Sequence, residues 1–341
     1  MSPFKSIKGR ALGKLLEGYK SSDIGKGFGS GDGNTGPFTA TGGEKIYAPN
    51  GYTYHVFLNP GSGSAGSSAP FVFEASGSPG VIEFLVVGAG GGGGWDVGGG
   101  GGGGGVIVNN PVATWTVDAG SYAITVGQGG AGGNGPSPPS IKRGGNGGSS
   151  SITFATSGQI TALGGGGGGG WHPGDPSINS GGTGGANGGG HCGWQTSGNG
   201  TTGVQPSQNP GITGILQYGG YQGGPNPTPS GTSGGGGGAG AGANGGTGGQ
   251  PNVGGVGGSG KTIPAFGCTA STYAPALPSG SVTVIGSPGN FGPGAPGISE
   301  DGATPAGVGA DGTGAGGGGG GHPNVGDRGG HGIVIIRYTT T

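Results

Sequence analysis

The chain has 341 residues, 107 of them glycine and 26 proline, with 7% charged residues, 28% apolar residues and a formal net charge of −1. No stretch approaches ~18 consecutive apolar residues, so no membrane-spanning helix is expected, and with no apolar run near the N-terminus no secretory signal is expected either. Near-neutral charge gives no footprint for nucleic acid, two cysteines make no disulfide scaffold, and low apolar content argues against an ordinary enzyme.

Residues 1–31 stand apart from the rest of the chain. Lys5, Lys8, Arg10, Lys14, Lys20 and Lys26 are six of the 12 basic residues. Phe4, Ile7, Ala11 and Leu15 fall at helical spacing, with Leu12, Leu16 and Tyr19 beside them. Ser2 can cap such a helix, and Pro3 suits its first position. A short amphipathic helix is expected over about residues 3–20. Its reading is an anchor, docking into a larger assembly through Phe4, Ile7, Leu12, Leu15 and Leu16. A membrane-surface helix and a frayed tail are the alternatives. Residues 32–45 read as a Gly/Ser/Asp linker to a single glycine-rich domain over 46–341.

Strand signals come next, in chain order. They are Tyr52–Leu58, Phe71–Phe73, Val81–Val87, Val106–Val108, Thr114–Val117, Tyr122–Val126, Ile152–Phe154, Ile160–Leu163, Val282–Ile285 and Ile333–Tyr338. Val81–Val87 is nearly continuously apolar, the mark of a strand buried on both faces. Ile333–Tyr338 is expected to return and close the sheet begun by the first strands. The stretch between, about 164–280, reads as a glycine-rich insert.

The glycines decide the fold class. Collagen needs glycine at every third position, whereas Gly98–Gly105 is a solid run. Disorder is the simplest reading of such a composition. Ordering a glycine costs roughly 0.5–1 kcal/mol more than ordering an alanine, and no side-chain core of this chain offsets that over all its glycines. Packed polyglycine II helices would, because chains without Cβ atoms can hydrogen-bond backbone to backbone. The expected fold is all-β with polyglycine II helices: a glycine-rich sandwich on short β-strands, plus the N-terminal helix.

One pattern recurs. Gly90–Gly94 ends in Trp95-Asp96, Gly164–Gly170 ends in Trp171-His172 with Asp175 beyond, and Gly316–Gly321 ends in His322 with Asp327 beyond. Large rings fit only outside a glycine lattice, so these residues are expected on loops where the runs emerge.

Several segments together resemble the glycine-rich domain of tailed-phage structural proteins. They are Gly51-Tyr-Thr-Tyr-His-Val-Phe57, the run Ile82–Gly94, Gly98–Gly105 leading into Val106-Ile-Val108, Tyr122–Gly130, Gly144–Ser149 and the closing Gly329–Tyr338. The resemblance spans about 45–338 and leaves out residues 1–31. Marine phages, including those of cyanobacteria, carry many such proteins. It implies a virion protein without enzymatic activity, most simply a tail fibre or tip adhesin. The partner it implies is a host surface glycan or outer-membrane protein at the far end; docking to other virion proteins, as part of a homotrimer, is expected from the amphipathic helix of residues 1–31, which the resemblance does not cover. A head or tail decoration or filament subunit is the alternative.

Other chemistry finds little footing. Gly258-Ser-Gly-Lys-Thr262 has the tail of a phosphate-binding loop but is read as lacking the glycine at the right offset before it, so no nucleotide site is expected. His191-Cys192 has no partner at zinc-ligand spacing, so no metal and no cofactor are expected. Cys192 and Cys268 are either a pair across the insert or two thiols. No nucleophile elbow or triad appears. Trp171, His172, His191, Trp194, Tyr218 and Tyr221 sit among Gly, Asn and Pro, as rigid aromatics do on recognition loops, and are the candidate receptor-binding residues. Packing against the ends of the lattice is the alternative for each.

Overall fold

The computed structural model describes residues 36–47, 51–59, 68–111, 113–135, 142–154, 158–172, 175–183, 185–193, 198–205, 212–227, 234–249, 253–266, 289–298 and 307–340. The expected N-terminal anchor (Phe4, Ile7, Leu12, Leu15 and Leu16), Trp194, Cys268 and the expected strand at Val282–Ile285 lie outside the described residues. The described part of the chain is all-β.

Two antiparallel sheets form a sandwich. The first runs β1 (Thr39–Thr41), β4 (Ser68–Ser76), β8 (Gly120–Gly127), β9 (Ser150–Phe154) and β10 (Gly158–Ala162). The second runs β11 (Leu216–Tyr218), β6 (Val106–Val108), β5 (Gly80–Val87), β14 (Ile333–Thr339), β3 (Tyr52–Leu58) and β2 (Glu44–Tyr47). A short strand, β7 (Trp115–Val117), pairs with the start of β5, and β12 (Lys261–Thr262) pairs with β13 (Asn290–Phe291). Within the segment 32–45 expected as a linker, residues 39–41 and 44–45 therefore lie in strands. Gly42 and Gly43, both at positive φ, turn the chain between two strands that pair with β4 and β3.

Alternation assigns the side chains. Phe57, Phe84, Val86, Ile107, Val334 and Ile336 meet Phe73, Ile124, Ile152 and Phe154 between the sheets. The opposite face of the second sheet carries Tyr54, Val56, Leu85, Val106, Ile333 and Ile335, packed against Ile263, Phe266 and Phe291. This is why β5 and β14 read as nearly continuous apolar runs, interrupted only by the paired Glu83 and Arg337. The C-terminal β14 does return to the sheet, between β5 and β3. Arg337 crosses from β14 to its register partner Glu83 on β5, with Nε 2.6 Å from Oε2. Its guanidinium lies over the Tyr52 ring, 4.2 Å from the centroid.

At Gly88 the β5–β6 hairpin leaves the sheet and continues as glycine. Residues 88–94 run outward, 95–97 turn, and 98–105 run back. Every residue from 84 to 109 is buried. Hydrogen bonds span the hairpin from Gly88 N to Gly105 O, Gly91 N to Gly102 O and Gly94 N to Gly99 O. The other groups point elsewhere, and the direction rotates with each residue. Gly98, Gly101 and Gly104 donate to residues 320, 317 and 314; Gly99, Gly102 and Gly105 donate to 169, 166 and 163; Gly100 and Gly103 donate to 236 and 239. Carbonyls of the same run accept from residues 88–94, from 187–190 and from 295–298. Residues 98–105 thus lie at the centre of a bundle, with a three-residue period in their partners. The Asn187 side chain joins this ladder, its Nδ2 donating to Gly103 O at 2.9 Å.

Where the returning glycine segments meet the sheets, a polar clamp closes the base. Arg328 forks onto Asp311, Nη1–Oδ1 2.7 Å and Nη2–Oδ2 2.8 Å. The His331 amide donates to the same carboxylate, and His331 Nδ1 accepts from Gly129 N at 3.0 Å. Burial pushes the Asp311 carboxyl up, but hydrogen bonds from Arg328 and His331 and their charges outweigh it and hold the group below its ordinary range.

A Cβ on Gly102 would lie 2.3 Å from Asn187 O, whereas one on Gly120 would meet nothing within 4 Å. Gly102→Ala should cost at least about 3 kcal/mol in chemical unfolding, while Gly120→Ala should change stability by less than about 1 kcal/mol. The depressed Asp311 contributes stability that is present above its unfolded pKa and lost as pH falls through the folded value. Asp311→Asn should therefore cost about 1–2 kcal/mol at pH 7 and flatten the loss of stability below about pH 4, read from unfolding midpoints across a pH series.

Candidate functional site at the outer end of the glycine bundle

The outer turn of the hairpin gathers the ends of other glycine segments. Gly320 N donates to Gly94 O, Trp171 N to Trp95 O at 3.2 Å, Gly193 N to Val97 O at 2.7 Å, and Trp95 N to Lys142 O at 2.8 Å. All three recurrences of glycine run plus ring therefore come together, as the chain ends of neighbours in one bundle must.

The turn is strained. Asp96 and Val97 adopt φ of 57° and 54°. For a β-branched residue that conformation is an outlier costing of order 1–3 kcal/mol. The converging backbone bonds hold it in place, and Val97 is fully buried.

Around this turn lies a cluster of rings and charges. Trp95 is buried, its Nε1 donating to Pro323 O at 3.2 Å, and the Lys142 ammonium sits 4.3 Å from its ring centroid. The Asp96 Oδ1 pairs with His322 Nδ1 at 2.7 Å, the side chains 1% and 49% exposed respectively. Burial pushes the Asp96 carboxyl above its ordinary range, against the pull of the His322 hydrogen bond and charge and of Lys142. Burial pushes Lys142 down, with Asp96 opposing. Beside it, Arg143 reaches Ser177 O, tying this segment to the 3₁₀ turn Pro176–Ile178. Asp175 caps that turn by accepting from Ser177 N at 3.0 Å. Among the described residues, the buried side-chain polar atoms without a hydrogen-bond partner are Asp96 Oδ2 and Arg143 Nε. Both are at this end.

The residues singled out from sequence are not one site. Trp171 and His172 are half-buried here, the His172 amide donating to Asn179 Oδ1 at 3.4 Å. His191 is buried, with Nδ1 2.7 Å from Cys192 O and its ring against Gly198. Burial pushes its imidazole down, with the Cys192 carbonyl opposing. Tyr218 lies at the sheet end, in β11 opposite Val106, with the Lys261 ammonium 4.3 Å from its ring centroid. Tyr221 lies midway, its carbonyl accepting from Gly188 N and Gly203 N. The residues missing from that set are Asp96 and Lys142. The recurrence of ring and aspartate after glycine runs pointed to the first, and nothing local pointed to the second.

Residues 255–262 spell the whole G-x-x-x-x-G-K-[ST] string of a phosphate-binding loop. The structure places them on a surface glycine segment that enters β12, with Val256 and Ser259 exposed and Lys261 over Tyr218. The next element is the 3₁₀ turn Pro264–Phe266, so the helix N-terminus that such a loop requires is not formed there. Among the described residues no group of three or more His, Cys, Asp or Glu is placed to hold a metal ion.

A family model described as a glycine-rich domain matches residues 66–339. No curated protein and no solved structure matches the chain.

Burial separates the two tryptophans of this end. Trp95→Ala should cost about 3–5 kcal/mol, through loss of a buried ring, of the Pro323 hydrogen bond and of the Lys142 contact. Trp171→Ala should cost about a third as much. Equal losses in thermal unfolding would contradict this division.

Proposed function

We propose, for a chain that belongs to the glycine-rich domain family, that the outer end of the glycine bundle is a recognition tip held on a rigid stalk. The glycine segments are read as polyglycine II helices. The three-residue rotation of their hydrogen-bond partners supports this, since that helix has three residues per turn. The β-sandwich is the base and the Trp95–Val97 turn the summit. The protein is then a phage virion component, a tail fibre or adhesin that holds a host surface glycan or outer-membrane protein without covalent chemistry. The virion setting comes from the resemblance of the glycine-run and strand blocks to tailed-phage proteins, whereas attachment through residues 1–31, as part of a homotrimer, is proposed from the helical spacing of that segment, which the resemblance does not cover. The observation that carries the recognition reading is the convergence of separate chain ends on one strained, ring-bearing turn. Strain of this kind collects where function needs a fixed geometry.

Two further features favour recognition over a purely structural role. Trp171 and His172 are only half-buried at the summit, available to a sugar face or protein epitope. The orphaned polar atoms of the described residues also lie there. The test is binding of the fluorescently labelled full chain to a panel of intact bacterial cells, aquatic species included. Saturable binding to a narrow set of strains is expected, with Trp171→Ala abolishing it while the protein stays folded and loses only the modest stability given above. A folded protein that binds no strain would overturn the adhesin reading in favour of a head or tail structural subunit.

A further inference from the structure

We propose that Asn134, at the outer end of the glycine bundle, is a site of self-modification, where the side-chain amide is converted without an enzyme to aspartate and isoaspartate. The inference rests on the bonds around the Asn–Gly pairs of the chain and does not require the adhesin reading.

The chain holds six Asn–Gly pairs, beginning at Asn50, Asn134, Asn146, Asn187, Asn199 and Asn244. Glycine after asparagine is the reactive arrangement, because no side chain shields the glycine nitrogen from the asparagine amide carbon. Asn50 lies outside the described residues. Exposure does not separate the other five: Asn187 is buried, and the remaining four are all exposed. What separates them is whether the two reacting groups are held.

In three pairs both groups are engaged. Asn146 Oδ1 accepts from Gly167 N at 3.0 Å and its Nδ2 donates to Thr183 O at 2.9 Å, while Gly147 N donates to Gly165 O at 2.9 Å. Asn187 Nδ2 donates to Gly103 O at 2.9 Å, and Gly188 N to Tyr221 O at 3.0 Å. Asn244 Oδ1 accepts from Gln222 N at 2.9 Å, and Gly245 N donates to Gln222 O at 3.0 Å. At Asn199 the bundle holds the flanks: Gly198 is bonded both ways to Asn226, and Thr201 N donates to Gly189 O at 3.1 Å, while Gly200 N has no acceptor among the described residues. At Asn134 neither the side chain nor Gly135 N has a partner among the described residues. The last bonds before it are at Gly133, from its N to Gly93 O at 2.8 Å and from Gly326 N to its O at 2.9 Å. Those bonds set Asn134 beside the Trp95–Val97 turn. Gly135 bends the chain at a φ of 67°, and a Cβ there would meet nothing within 4 Å, so the space around the reacting pair is open.

The reaction balances with water alone. Gly135 N gives its proton to solvent base and attacks Asn134 Cγ. The N–Cγ bond forms, the Cγ–Nδ2 bond breaks, and Nδ2 leaves as ammonia with a proton taken from water. Water then opens the cyclic imide. Addition at Cγ restores the ordinary backbone and leaves aspartate. Addition at the Asn134 carbonyl carbon leaves the backbone running through the side chain, as isoaspartate. Either product adds a negative charge to a chain whose formal net charge is −1, at the end that holds Asp96, Lys142 and His322.

The experiment is incubation of the folded full chain at about pH 8.5 and about 37 °C, followed by peptide mass spectrometry for the gain of about 1 Da and by an assay for isoaspartate. Asn134 should convert fastest and Asn199 next. Asn146, Asn187 and Asn244 should be at least about tenfold slower than Asn134, because their bonds must open first. In the chain unfolded by guanidinium all five should convert at similar rates, which separates the effect of the fold from that of local sequence. Asn134→Gln, an exposed change that leaves the fold in place, should abolish conversion at that peptide and leave the other four unaltered. Asn134 converting as slowly as Asn187, the exposed Asn244 converting as fast as Asn134, or the same order of rates in the unfolded chain would overturn the proposal.

Discussion

At Gly93 the space a β-carbon would take is already filled, because Gly318 O lies 1.9 Å from it. The same is true at Gly104 with Gly88 O and at Gly165 with Gly102 O, both 1.9 Å. Close approach of one backbone to another is the constraint on which everything else here depends. It allows carbonyls and amides of different segments to meet in a water-free interior, where each bond left unmade would cost about 1–3 kcal/mol. The heavy entropic cost of ordering glycine is met by this dense ladder rather than by side-chain burial. The β-sandwich supplies what the ladder lacks, a side-chain core that fixes the direction in which the first hairpin leaves the sheet.

The two parts share one connection. β5 and β6 are hydrogen-bonded strands up to Val87 and Val106, and the hydrogen bonds between their continuations persist across Gly88 and Gly105. Register set by apolar side chains in the sheet is thereby carried outward to a turn that has no apolar core of its own. This explains how Val97 can be held in a conformation that its side chain resists. It also explains why residues far apart in the chain, Asp96 and His322, arrive within hydrogen-bonding distance.

The strands are legible in the sequence because their chemistry is local. Tyr52–Leu58, Val106–Val108 and the C-terminal strand come from β-branched and aromatic runs, and the nearly continuous apolar run of β5 correctly implies burial on both faces. The short strands at Thr39–Thr41, Glu44–Tyr47 and Leu216–Tyr218 are not legible. They owe their form to a partner strand rather than to their own composition. At the outer end, the rings after glycine runs are recognisable as a group. Which of them is covered is not, since the burial of His191 and Trp95 depends on segments that no local pattern identifies. The spacing of side chains between glycines carries a signal that only the structure explains. The buried central run is solid glycine, whereas Asn244-Gly-Gly-Thr247 and Val253-Gly-Gly-Val256-Gly-Gly-Ser259 place a side chain at every third position, and those side chains are exposed. The same three-residue period that rotates the hydrogen-bond partners of residues 98–105 turns that spacing into an outward face.

The rotating hydrogen-bond partners of residues 98–105 give the glycine runs a reading frame. Adding one residue would swing all later amides by a third of a turn, so that each would address the wrong neighbour. Adding three would restore every direction and only lengthen the glycine bundle. Slippage in a glycine-coding repeat should thus be filtered by phase: the bundle can grow or shrink by whole turns, while changes of one or two residues are eliminated, even though every residue gained or lost is chemically identical to those around it.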